Sequence, residues 1–185
     1  MTSGNNIIAV IPLGDVFHII PNIVAANIQA VYSLPVEILG PMKLPEYAFD
    51  KKRMQYDAGC ILDLLDKTDT ETADKIIAVC TVDLFIPIFT HVFGEAQLGG
   101  KSAVVSIYRL QQSPESLSES LIFEHLIYER MAKVALHETG HLFNMHHCHD
   151  EKCLMHFSGN LDDLDKTPML ICRYCLAVFR DAIKS

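Results

Sequence analysis

Basic charge is scarce in this chain, which has 15 Lys and Arg against 23 Asp and Glu and a formal net charge of -8. A protein built mainly to bind nucleic acid draws its affinity from clustered Lys and Arg. No such cluster is present, so no nucleic-acid partner is expected. Long apolar runs are missing as well. The best candidate, IIAVCTVDLFIPIF (76–89), carries Asp83 and Pro87 and falls short of the ~18 uninterrupted apolar residues a membrane helix needs. It reads as buried strand, and no membrane partner is expected. The opening MTSGNNIIAVIPLG has no Lys or Arg ahead of its apolar run, which Pro12 and Gly14 soon break. It lacks the pattern of a signal peptide, so a cytoplasmic location is expected. No separate pro-segment is read ahead of the first strand. Half of the residues are hydrophobic (50%) and Gly and Pro are ordinary in number, which excludes a disordered or fibrous chain. A length of 185 residues suits one domain, 1–185.

What is present alternates between β-rich and amphipathic stretches. IIAVI (7–11), LPVEIL (34–39) and KIIAVCTVDLF (75–85) read as strands, while 18–32 and 54–67 read as helices. Such alternation suggests a largely parallel sheet covered by helices. The stretch 91–110 departs from this pattern, with two β-like arms around Gly99-Gly100. That pair suits a tight turn, and the first arm, poor in β-branched residues, reads as an exposed antiparallel edge. An exposed edge is either a hazard to be masked or a rail on which an extended peptide adds a strand. The longest helical segment is 113–144, with Ser113-Pro114 and Ser116 to Glu119 as start signals. A second amphipathic helix is read over 168–185. Glu95 reads as a solvated side chain, and Arg130 and Lys133 fall away from the apolar stripe of the long helix.

The chemistry concentrates in HETGHLFNMHHC (137–148). His137 and His141 lie four apart, about 40° apart in azimuth on a helix, so both rings can reach one ion. Glu138 sits between them, near enough to take a proton from a water activated by zinc without being a ligand. A catalytic zinc commonly has three protein ligands and one open position. His147 would lie about 9 Å further along a continued helix, so the chain must reverse for it to meet the same ion. Asn144 stands where a left-handed residue would allow this; the opposite phase of the loop would offer His146 instead. Four of the six cysteines, Cys148, Cys153, Cys172 and Cys175, crowd the C-terminal stretch, and in a reducing compartment such a cluster reads as a metal site. Cys60 and Cys80 read as small buried hydrophobes.

HETGHLFNMHH resembles the metzincin signature H-E-x-x-H-x-x-G-x-x-H, with Asn144 in place of the Gly. The Cys that follows at once, then C-x4-C-x-M and a distal C-x-x-C, resemble the archaemetzincin extension of that signature. The resemblance implies an α+β, zincin-like fold: a twisted mixed five-stranded sheet with one antiparallel edge strand, backed by helices. It divides the chain into the sheet and active-site helix (1–144) and a zinc-stabilised C-terminal part (145–185). It further implies His137, His141 and His147 as ligands of a catalytic zinc and Glu138 as general base. Met155 would form the Met-turn beneath that zinc. The four cysteines would bind a second zinc, and four thiolates leave no open position, so that site would be structural. A peptide or protein substrate would dock on the edge strand near 92–98. The function implied is a zinc metallopeptidase, a hydrolase of peptide bonds. The competing reading is a two-zinc peptide-binding protein with little activity, in which Asn144 perturbs the third ligand.

Overall fold

The computed structural model describes residues 6–112 and 120–184. Its main sheet has five strands in the order β2-β1-β5-β9-β8: β1 is Ile8–Leu13, β2 Val36–Ile38, β5 Lys75–Cys80, β8 Gly94–Ala96 and β9 Ser102–Ser106. The first four run parallel, and β8 is the antiparallel edge. The chain reverses between β8 and β9 through a turn closed by Gly100 N–H donating to the Gln97 carbonyl. Gly99 takes the positive φ of 65° that the turn requires; Gly100 does not share it.

The central strands are apolar on both faces because both faces are covered. On one face Val10, Val79 and Val105 join α1 (Ile19–Tyr32), α3 (Ser120–Leu142) and α5 (Arg173–Ala182) in one core. On the other, Ile11, Ala78 and Val104 pack with α2 (Ala58–Asp66). The start signals expected at Ser113, Pro114, Ser116 and Glu119 lie outside the described residues. Among those described, no helix is long and apolar enough to cross a membrane.

Three expectations need correction. The helix expected over 54–67 is shorter: Gln55–Asp57 form strand β4, and Asp57 caps α2 by accepting from the Gly59 N–H. The strand expected over 75–85 is two, β5 and β6 (Leu84–Ile86), in different sheets. β6 belongs to a second sheet, ordered β3-β4-β6-β7, with β3 at Phe49–Asp50 and β7 at Phe89–Val92. Pairs this short leave little periodicity to read. Finally, the C-terminal helix begins at Arg173, because Cys172 caps it, and a short α4 (Leu161–Lys166) precedes it, capped by Asn160.

Two buried cations hold α4 against α3. Arg130 is 1% exposed and Lys133 2%, contrary to their placement off the buried stripe. Arg130 pairs with Asp165 and donates to the Leu110 and Gln112 carbonyls. Lys133 pairs with Glu129 and donates to the Leu164 and Asp165 carbonyls. Except for Glu129, one helical turn before Lys133, these partners come from far along the chain, so helix periodicity does not reveal them.

Candidate metal centre and cleft

Helix α3 runs into the site through Met131–Leu136, whose side chains are all buried, and ends just beyond His141. Asn144 adopts φ 62°. Its N–H donates to the His141 carbonyl and the next N–H, of Met145, to the Gly140 carbonyl. These two bonds define a Schellman motif, the usual glycine-ended helix stop. Asn is the best non-glycine residue for the left-handed position, so the chain reverses here as the sequence requires. The Gly99 N–H also donates to the His141 carbonyl, tying the β8–β9 turn to the helix end.

The reversal brings His147 back to His137 and His141, with ring centroids 4.7 to 5.2 Å apart within the three pairs. His146 and His149 are exposed and do not join them. His137 Nδ1 lies 2.8 Å from the Leu154 carbonyl and His141 Nδ1 2.7 Å from the Met145 carbonyl. A carbonyl only accepts, so each Nδ1 carries the proton and each Nε2 presents a lone pair. Burial favours the neutral ring, pushing His137 down to about 3 and His141 down from its ordinary value. The two Nε2 atoms stand 3.0 Å apart. Two lone pairs so close repel unless a cation lies between them, and metal-binding imidazoles are held in this way through their second nitrogen. The three histidines therefore suit a zinc ion.

The four cysteine sulfurs form a second group, all within 4.8 Å of one another. The Cys148–Cys172 and Cys153–Cys175 sulfurs are 3.9 and 3.8 Å apart. A zinc tetrahedron with ~2.3 Å bonds spaces sulfurs by about 3.8 Å, whereas a disulfide would bring them to about 2 Å. The Cys175 N–H donates to the Cys172 sulfur and pulls that thiol down to about 7, whereas burial pushes Cys153 and Cys175 up, so a metal there would have to displace their protons. Cys60 and Cys80 join neither group: Cys80 is buried as expected, and Cys60 is half-buried.

One segment serves both groups. Leu154 holds His137, the Cys148 N–H donates to the Met155 carbonyl, and His156 Nδ1 donates to the Cys148 carbonyl. Met155 is fully buried against the helix at Gly140, where any Cβ would collide with Met155 and Met145. The glycine inside HETGH thus makes room for the methionine; a helix-interior Gly was the signal in the sequence.

Glu138 lies in a cleft of about 550 Å³ between α3 and the β7–β8 edge. It is 8% exposed, and burial, then the charge of Glu95, push its carboxyl up to about 8. A dication at the three imidazoles works the other way and favours the carboxylate. Glu95, expected to be solvated, is half-buried and lines the cleft, because β8 forms its upper rim. In the sequence Gly94 marks only a weaker strand, yet a Cβ there would lie 2.8 Å from Glu138 Cγ and 3.0 Å from Oε1. Gly94→Ala is therefore expected to displace Glu138 and lower kcat by about 10- to 100-fold with zinc content unchanged. Steady-state rates beside metal analysis check this; a wild-type kcat would sink it.

Known proteins share this architecture. The sequence profile of peptidase family M54 matches residues 17–181. The archaemetzincin of Halobacterium salinarum is 31% identical over 166 residues, covering 90% of this chain and 95% of that protein. The crystal structure of the Methanopyrus kandleri archaemetzincin superposes with a TM-score of 0.84 at 30% identity, over 98% of both chains. That of a zinc-dependent peptidase from Methanocorpusculum labreanum gives 0.80 at 29% identity, over 93% of this chain and 99% of the other. With the five-stranded sheet, the histidine trio and the cysteine cluster, these matches make the chain a zinc metallopeptidase that belongs to peptidase family M54, the archaemetzincins.

Proposed function

We propose that the protein hydrolyses peptide bonds at one zinc held by His137, His141 and His147, and that a second zinc held by Cys148, Cys153, Cys172 and Cys175 is structural. Zinc at the three imidazoles would polarise a substrate carbonyl and lower the pKa of a water to about 7. Glu138 then accepts the proton of the attacking water and returns it to the departing amine nitrogen as the C–N bond breaks. The observation that carries this reading is the pair of Nε2 lone pairs turned toward each other, with the carboxylate of Glu138 one residue away in the same cleft. An extended peptide would pair with the free side of β8, near 92–98, because that edge has no protein partner among the described residues. The weakly active alternative rests on Asn144 misdirecting His147, and the left-handed turn described above gives it no support.

The test exposes a diverse peptide mixture to the zinc-loaded protein and to Glu138→Ala of equal zinc content, reading new termini by mass spectrometry. Cleavage is expected to fall by at least about 100-fold in the variant. Equal cleavage by both would remove Glu138 from the role of base, and cleavage by neither would favour a binding protein.

A further inference from the structure

Among the described residues, buried and half-buried carboxylates are partnered, with two exceptions. Glu37, Asp50, Asp57, Asp83, Glu129 and Asp165 each accept a hydrogen bond or pair with a cation. Glu138 and Glu95 are the two that do neither. For Glu138 the base role accounts for this. Glu95 has no such account: desolvation raises its pKa, and no donor or cation offsets the cost. The cleft lining contains one Lys or Arg among the described residues, Lys133, and its ammonium is already held by Glu129 and two carbonyls.

The position of Glu95 says what would relieve it. It follows Gly94, which lies against Glu138, on the strand whose outer edge is open. Glu95 and Glu138 line one cleft, so a group bound by Glu95 would belong to substrate lying near the bond that Glu138 serves. We propose that Glu95 is a specificity-determining residue that receives an alkylammonium group of the substrate beside the scissile bond. This rests on the peptidase reading above. Two substrate groups share that chemistry: the free α-ammonium of a peptide cut after its first residue, and the side chain of a lysine flanking the cut. An ammonium bound there makes a charge-assisted hydrogen bond in a partly dry cleft.

The test uses the zinc-loaded protein and Glu95→Gln, with two pairs of peptides. One pair differs in a free against an acetylated N-terminus, the other, both acetylated, in lysine against norleucine beside the cut. The wild type is expected to favour the ammonium-bearing member of one pair by about tenfold or more in kcat/KM, and Glu95→Gln to bring that ratio near one. Using the ratio cancels any effect of Glu95 on zinc or on Glu138 that both peptides share. Preference in the first pair identifies the α-ammonium as the ligand, and in the second the lysine side chain. No preference in either pair, or a preference that survives Glu95→Gln, overturns the proposal while leaving the peptidase reading intact. If the wild type cuts none of the peptides, the peptidase reading is what fails. Equilibrium binding of the same pairs to Glu138→Ala, with and without Glu95→Gln, then decides the role of Glu95: the same collapse of the ratio sustains it, and an unchanged ratio overturns it.

Discussion

Cys172→Ser is expected to empty the cysteine site and, through it, to weaken zinc at the three histidines by roughly 10- to 100-fold, the usual cost of losing groups that orient metal ligands. Cys172 caps α5, with its N–H donated to the Cys153 sulfur. Cys153 in turn opens the segment whose next residue, Leu154, fixes the ring of His137. Cys148 adjoins His147 in sequence and is tied to Met155 by backbone. Without a metal to gather four thiolates, this segment keeps its hydrogen bonds and the packing of buried Leu154 and Met155 but loses its tie to α5, so the carbonyl of Leu154 can drift from His137. Packing from α5 acts in the same direction. Phe179 lies between Tyr32 and Phe143, at 4.8 and 5.1 Å, and the Tyr32 hydroxyl donates to the carbonyl of Leu136, the α3 residue just before His137. Metal analysis with graded chelator competition would measure both sites in one titration. Loss of one zinc with an unaltered affinity for the other would show that the sites are independent.

The parts of this site that could be read from sequence are those fixed by local geometry. Two histidines four apart on a helix must share a face, and Asn144 is the one residue before His147 suited to reverse the chain, as its φ of 62° shows. The β8–β9 hairpin was visible through Gly99-Gly100 for the same reason. Residues whose roles depend on distant partners were misread or passed over. Glu95 looks solvated until β8 is laid over α3. Arg130 and Lys133 look like a polar face until α4 supplies the carboxylate and carbonyls they grip. Gly94 and Gly140 matter only through what approaches them, Glu138 in one case and Met155 in the other. The second sheet was missed because its strands are as short as two or three residues and gain their pairing from each other, not from their own pattern.

Asp165→Ala is expected to destabilise the protein by about 3 kcal/mol, the lower end of the range for removing one partner of a buried ion pair, because the Asp165 side chain is 27% exposed. The guanidinium of Arg130 has a side chain 2% exposed and meets Asp165 through two bonds of 2.7 and 2.6 Å. Without Asp165 it has two carbonyls, which satisfy donors but do not neutralise the charge. The larger part of the cost is thus the stranded cation, not the lost contact. Arg130→Met together with Asp165→Leu should recover part of the stability: an apolar pair buries no bare charge, while the Leu110 and Gln112 carbonyls lose their donor. Denaturant unfolding at saturating zinc would give both values; a loss under about 1 kcal/mol for the single variant would mean water reaches Arg130. Function should divide differently. Helix α4 and the residue after it contribute Leu164 and Thr167 to the cleft wall, whereas Glu138 and the histidines are held by α3 and the segment around Leu154. A loosened α4 should therefore raise KM more than it lowers kcat, so the clamp bears on how substrate is gripped and leaves the proton transfer proposed for Glu138 largely in place.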